Sequence, residues 1–126
     1  MSVKITICDD TAEDITILSG SLSAYNPLFE ITSITSGKTL VDELMDDRFS
    51  ADILFLDVYM PDMDGILTAQ KIRSKKNDIK IIFLSSSREH YPQAYEVFAF
   101  NYIEKPFREE RLYAVLDRAL GELRKE

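Results

Sequence analysis

The amino-acid sequence predicts an α/β fold, a doubly wound parallel sheet of five strands flanked by five helices. Three observations carry this expectation. Short apolar, β-branched runs alternate along the chain with longer stretches whose apolar residues recur every three or four positions. The run Ile53-Leu54-Phe55-Leu56 is apolar throughout, as a central strand covered on both faces must be. Parallel strands need crossover connections, and these are right-handed in nearly all proteins, so the alternation closes into one sheet between two helical layers.

Taken in order, residues 3–8 (VKITIC) form the first strand. Ile15, Leu18, Leu22 and Tyr25 then recur at helical spacing, in a helix ending near Asn26-Pro27. Residues 29–34 are the second strand, and Leu40, Val41, Leu44 and Met45 the apolar stripe of the second helix. The third strand, 53–56, leads to a helix entered after Gly65 that carries Ile66, Ala69, Gln70 and Arg73. Residues 79–84 form the fourth strand, 91–98 a weaker helix, and Tyr102-Ile103 a short fifth strand. The last helix, 108–124, places Leu112, Val115, Leu116, Ala119 and Leu120 on one face. No repeat, low-complexity tract or linker interrupts the pattern, and 126 residues suit a single domain spanning 1–126.

Composition narrows the function. A net charge of −7 opposes a direct grip on nucleic acid, whose phosphates repel an acidic surface. No apolar stretch approaches the roughly 20 residues of a membrane span, and residues 1–4 lack a signal-peptide pattern, so a cytoplasmic location is expected. Cys8 is the single cysteine, cannot pair within the chain, and is expected as a small core residue.

In doubly wound sheets ligands collect at the carboxyl ends of the strands. There the sequence puts Asp9 and Asp10 after the first strand and Asp57 after the third. Ser85, with Ser86, follows the fourth strand, and Lys105 follows the fifth. Each has a plainer use. Asp10 or Thr11 would cap the first helix, the three serines the fourth, and Lys105-Pro106 is compatible with any helix start. Asp57 resists such an account, since an idle carboxylate between Leu56 and Val58 is costly. Clustered carboxylates need a cation, and an all-oxygen donor set suits Mg²⁺. A carboxylate beside the metal can attack phosphorus and become an aspartyl phosphate.

The segment Leu56-Asp57-Val58-Tyr59-Met60-Pro61-Asp62-Met63-Asp64-Gly65 resembles the phosphoacceptor strand and loop of bacterial response-regulator receiver domains. Asp9-Asp10, Ser85 and Tyr102-Ile103-Glu104-Lys105-Pro106-Phe107 complete the resemblance in the right order, so that it covers essentially the whole chain. The resemblance implies a flavodoxin-like (CheY-like) fold with strand order 2-1-3-4-5. It implies Asp57 as phosphoacceptor, and Asp9, Asp10, Asp57 and the Tyr59 carbonyl as Mg²⁺ ligands. Ser85 and Lys105 would bind the phosphoryl group, and Ser85 with Tyr102 would form the switch. It further implies a cis Lys105–Pro106 bond and, at Gly65, a backbone angle that other residues resist.

Tyr95 to Tyr102 is similar to the receivers of LytTR-type transcription regulators, with Phe98 where most receivers carry glycine. The implied partners are a sensor histidine kinase and, on phosphorylation, a second copy of the chain. Neither nucleic acid nor membrane is an expected partner of this domain. The output is an attached LytTR-type DNA-binding domain or, for a stand-alone receiver, protein contacts. The expected role is a switch and not an enzyme. A haloacid-dehalogenase-type phosphatase would also end an apolar strand in a nucleophilic Asp, but it needs a second acid where Tyr59 stands. A receiver that has lost phosphorylation would lack an acid, the hydroxyl or the lysine, and all are present.

Overall fold

A computed structural model describes residues 2–75 and 77–124. Ten elements alternate along them: β1 (Lys4–Cys8), α1 (Ala12–Tyr25), β2 (Glu30–Ile34), α2 (Gly37–Met45), β3 (Ile53–Asp57), α3 (Gly65–Ser74), β4 (Lys80–Ser85), α4 (Tyr91–Glu96), β5 (Asn101–Glu104) and α5 (Glu109–Arg124). The five strands pair in parallel in the order β2-β1-β3-β4-β5. Among the described residues no helix is long and apolar enough to cross a membrane.

Alternation of side chains along each strand divides the core into two layers. Ile5, Ile7, Ile53, Phe55, Ile82 and Leu84 point toward α1 and α5, against Leu18, Leu22, Leu112, Val115 and Leu116. Cys8, Leu54, Leu56, Ile81 and Phe83 face α2, α3 and α4, against Leu40, Leu44, Ile66, Ile72 and Ala94. Every residue of β3 is buried, which accounts for its unbroken apolar run. Cys8 is buried beside Met60, with Sγ 3.9 Å from Sδ, and burial pushes its thiol up to about 12. It is a core residue, as expected.

Two details depart from the sequence pattern. Met45, placed in the apolar stripe of α2, is 46% exposed at the helix end. The fourth helix stops at Glu96, because Phe98 adopts a left-handed backbone angle, φ 55°. Its carbonyl and that of Val97 both accept hydrogen bonds from Arg73, whose guanidinium also reaches the Ile79 carbonyl. The left-handed region costs an L-residue about 1–2 kcal/mol, which glycine, usual here in the resembling family, avoids. Since the Phe98 ring is 79% exposed, little packing offsets that cost. Phe98→Asn, which tolerates this angle, should stabilise the chain by about 0.5–1 kcal/mol in urea unfolding. A loss of stability would show that the ring packs more than its exposure indicates.

Candidate functional site

Parallel pairing sets the carboxyl ends of the strands at one edge. Cys8 lies opposite Leu56, Asp57 opposite Leu84, and Ser85 opposite Glu104. The residues at or just beyond these positions therefore converge. Asp9 is 2% exposed, Asp57 6% and Ser85 fully buried, while Asp10 is exposed. Carboxylate oxygens of Asp9, Asp10 and Asp57 lie within 4.8 Å of one another.

That spacing is electrostatically costly without a cation, and it adds to a shift at Asp57 that burial dominates. Burial pushes its pKa up to about 6; Lys105 pulls against this, while the charges of Asp9 and Asp10 add to it. Three carboxylates and no nitrogen or sulfur donor fit a hard divalent cation of the Mg²⁺ kind.

Lys105 closes the site from β5. Its Nζ donates to Asp9 Oδ2 and Asp14 Oδ2, each at 2.8 Å, and lies 3.5 Å from Asp57 Oδ1. Burial alone would lower its pKa, but the hydrogen bonds to Asp14 and Asp9 and the charge of Asp57 hold it above the usual amine range. Lys105–Pro106 is cis, as the resemblance implies. Beside it a cavity of about 370 Å³ opens between α1 and the β5–α5 connection, lined by Asp14, Ile17, Leu84, Lys105 and Phe107 among others.

The capping alternatives have different outcomes at the two helices. Thr11, not Asp10, takes the N-cap position of α1, and its backbone N–H donates to Asp9 Oδ1 at 2.9 Å. Ser85 is not a helix cap: its Oγ accepts from the Ser87 N–H inside the β4–α4 loop, and α4 begins only after His90. Tyr102 is 8% exposed, its hydroxyl donating to the Ser87 carbonyl at 2.7 Å and its ring edge-on to Tyr91. The aromatic side chain thus reaches inward to the loop that leaves Ser85.

Gly65 needs a correction. A special backbone angle was expected, yet no glycine among the described residues has positive φ. Space is the constraint instead: a Cβ at Gly65 would stand 2.1 Å from the Asp57 carbonyl oxygen and 2.9 Å from Val58 Cα. The Gly65 N–H donates to the Val58 carbonyl at 2.7 Å, so α3 starts hard against the end of β3.

Two contributors escaped sequence reasoning. The first is Asp14, in the first turn of α1, whose carboxylate meets Lys105 Nζ from 91 residues away. The second is the outer rim. Tyr59 donates to Glu89 Oε1 at 2.7 Å and meets His90 Nε2 at 3.0 Å, so the loop after Asp57 is tied to the loop after Ser85. His90 lies just before α4 and packs edge-on against the Tyr59 ring. Nothing local in the sequence marks contacts spanning 30 residues.

Comparison with known proteins places these features in context. The family model for the response regulator receiver domain matches residues 5–117. The sensory transduction protein LytT of Oceanobacillus iheyensis is 32% identical over 120 residues, covering 94% of this chain and 48% of LytT. The transcriptional regulatory protein YpdB of Escherichia coli is 29% identical over 116 residues, covering 92% of this chain and 47% of YpdB. The chain therefore spans about half the length of the curated relatives it matches. Among solved structures, the response regulatory domain of MrkE from Klebsiella pneumoniae superposes with a TM-score of 0.86 at 27% identity, covering 98% of this chain and 99% of that one.

Proposed function

The chain belongs to the response regulator receiver domain family, and from that premise we propose that Asp57 is its phosphoacceptor. The observation that carries the proposal is the convergence of a buried Asp57 with Asp9, Asp10 and Lys105 at one sheet edge. A bare cluster of this kind is a liability; a phosphoryl site is what makes it useful.

In the proposed transfer, a sensor histidine kinase presents a phosphohistidine. Asp57 acts as the carboxylate, and one of its oxygens attacks the phosphorus in line. The new P–O bond forms as the P–N bond breaks, and the imidazole keeps the electron pair and takes up a proton. Lys105 and the Ser85 hydroxyl would bind the equatorial oxygens. The carboxylates of Asp9, Asp10 and Asp57, with the Tyr59 carbonyl, would hold Mg²⁺, which neutralises charge on those oxygens when bound.

Ser85 and Tyr102 would then convert occupancy into shape. Moving Ser85 toward the phosphoryl group favours the inward Tyr102 and remodels α4, β5 and α5 (residues 88–122). Phosphorylation shifts that balance only by its differential interaction with the two states. The similarity to LytT and YpdB supports an attached LytTR-type DNA-binding domain as the output. Pairing of two copies through the remodelled surface would carry the signal to it. The domain itself would touch neither nucleic acid nor membrane.

Mg²⁺ should stabilise the chain by about 2.7 kcal/mol at a hundredfold over its Kd, with EDTA reversing the gain. Thermal unfolding at matched ionic strength checks this, and no response to Mg²⁺ would remove the cation from the account. The function itself is tested by intact mass after incubation with phosphoramidate. One phosphoryl group per chain should appear with Mg²⁺ and none with EDTA. No uptake under either condition would sink the proposal, and sustained hydrolysis of phosphate esters would point to a phosphatase.

A further inference from the structure

One amine serves three carboxylates here, at unequal distances. Lys105 Nζ is 2.8 Å from both Asp9 and Asp14 but 3.5 Å from Asp57, so it leans toward α1 and away from the proposed phosphoacceptor. Asp9 is 3% exposed at its side chain and belongs to the carboxylate cluster that fits a cation. A cation there competes with Lys105 for Asp9. Asp14, 38% exposed at its side chain and outside that cluster, has no such competitor and keeps its hold on the amine.

We infer that Asp14 is a positioning residue: it tethers Lys105 to α1 in the unphosphorylated chain, and the tether loosens as Lys105 moves from 3.5 Å into close contact with a phosphoryl group on Asp57. The inference rests on the proposed phosphorylation of Asp57. It has an asymmetric consequence. Uptake begins with the tether intact and reaches a transition state in which Lys105 has turned to the phosphoryl oxygens, so the tether slows it. Decay begins with Lys105 already on the phosphoryl group, so the tether has no part in it. A partly exposed ion pair is weak, and its loss should speed uptake by about two- to fivefold while leaving decay unchanged.

Glu13 supplies the control. It lies in the same first turn of α1 and carries the same charge, but Lys105 donates to Asp14 and not to it. Glu13→Gln therefore removes the charge and the helix-dipole contribution without touching the tether. Phosphoramidate with Mg²⁺ gives uptake and decay rates for the parent chain, Asp14→Asn and Glu13→Gln. NMR of the Lys105 ammonium group, recorded without phosphodonor, reports the contact itself. The expected result is a Lys105 signal displaced only in Asp14→Asn, with faster uptake and parental decay in that variant alone. Equal uptake in Asp14→Asn and the parent, equal acceleration by Glu13→Gln, or an unmoved Lys105 signal would each overturn the tether. If the parent takes up no phosphoryl group, the phosphoacceptor reading falls and the tether's role falls with it. A displaced Lys105 signal would still establish the contact, which separates the two failures.

Discussion

Asp57→Asn should leave the chain unable to take up a phosphoryl group and, at the same time, more stable. Loss of uptake follows from removing the only nucleophile proposed for the site. The gain in stability follows from the cost of keeping that nucleophile ionised. Burial beside Asp9 and Asp10 raises the Asp57 pKa from 3.8 to about 6, so the folded chain holds its proton more tightly than the unfolded chain. Between those two values the folded state binds the extra proton, and stability falls as pH rises through the window. Above about pH 6 the parent bears the full cost, about 1–3 kcal/mol at roughly 1.4 kcal/mol per unit. Asparagine carries no charge and escapes it. Urea unfolding in EDTA should show the variant ahead of the parent by that amount near pH 7.5. The lead should shrink as pH drops below 6 and the parent takes up its proton. A variant less stable than the parent at pH 7.5 would mean that the ionised carboxylate is held favourably.

Gly65→Ala should be among the most damaging single methyl additions available to this chain, costing about 3 kcal/mol. Its Cβ would meet the carbonyl carbon and oxygen of Asp57 and the Val58 Cα, backbone atoms at the end of the central strand and just after it that cannot swing aside as a side chain would. Relief requires α3 to back away from β3, which strains the hydrogen bond from Gly65 N–H to the Val58 carbonyl and shifts residues 58–64. Phosphoryl uptake should fall with stability for that reason. Gly121→Ala is the internal comparison. Nothing lies within 4 Å of its added methyl, in the last turn of α5, so the change should stabilise by about 0.5 kcal/mol. Denaturant midpoints of the two variants should move in opposite directions. If Gly65→Ala is as harmless as Gly121→Ala, the close approach of α3 to β3 is not a constraint on this fold.

The alternation of strand and helix was legible because each strand is an apolar run and each crossover a periodic one, and both patterns survive without tertiary information. The strand ends were less so. Asp57 and Ser85 are the final residues of β3 and β4, and polar residues at the edge of an apolar run look like the start of a loop. The early stop of α4 was hidden because it depends on the left-handed Phe98 and on Arg73, 25 residues away. The acidic pair, Asp57, Ser85 and Lys105 could be placed together because all follow the carboxyl ends of strands that run parallel in one sheet. Asp14 could not be assigned the same way, since its role is set by a hydrogen bond across 91 residues. At Gly65 the constraint is the backbone of Asp57 and Val58 and not a backbone angle: a sequence shows that a side chain is missing, not which atoms would have met it.

The most direct test of the central claim is to locate the phosphoryl group. The chain, treated with phosphoramidate and Mg²⁺, is digested quickly in acid and its peptides are mapped by tandem mass spectrometry. The account predicts a single modified peptide, with the phosphoryl group on Asp57. A phosphoryl group on Ser85, Ser86, His90 or any residue other than Asp57 would contradict it.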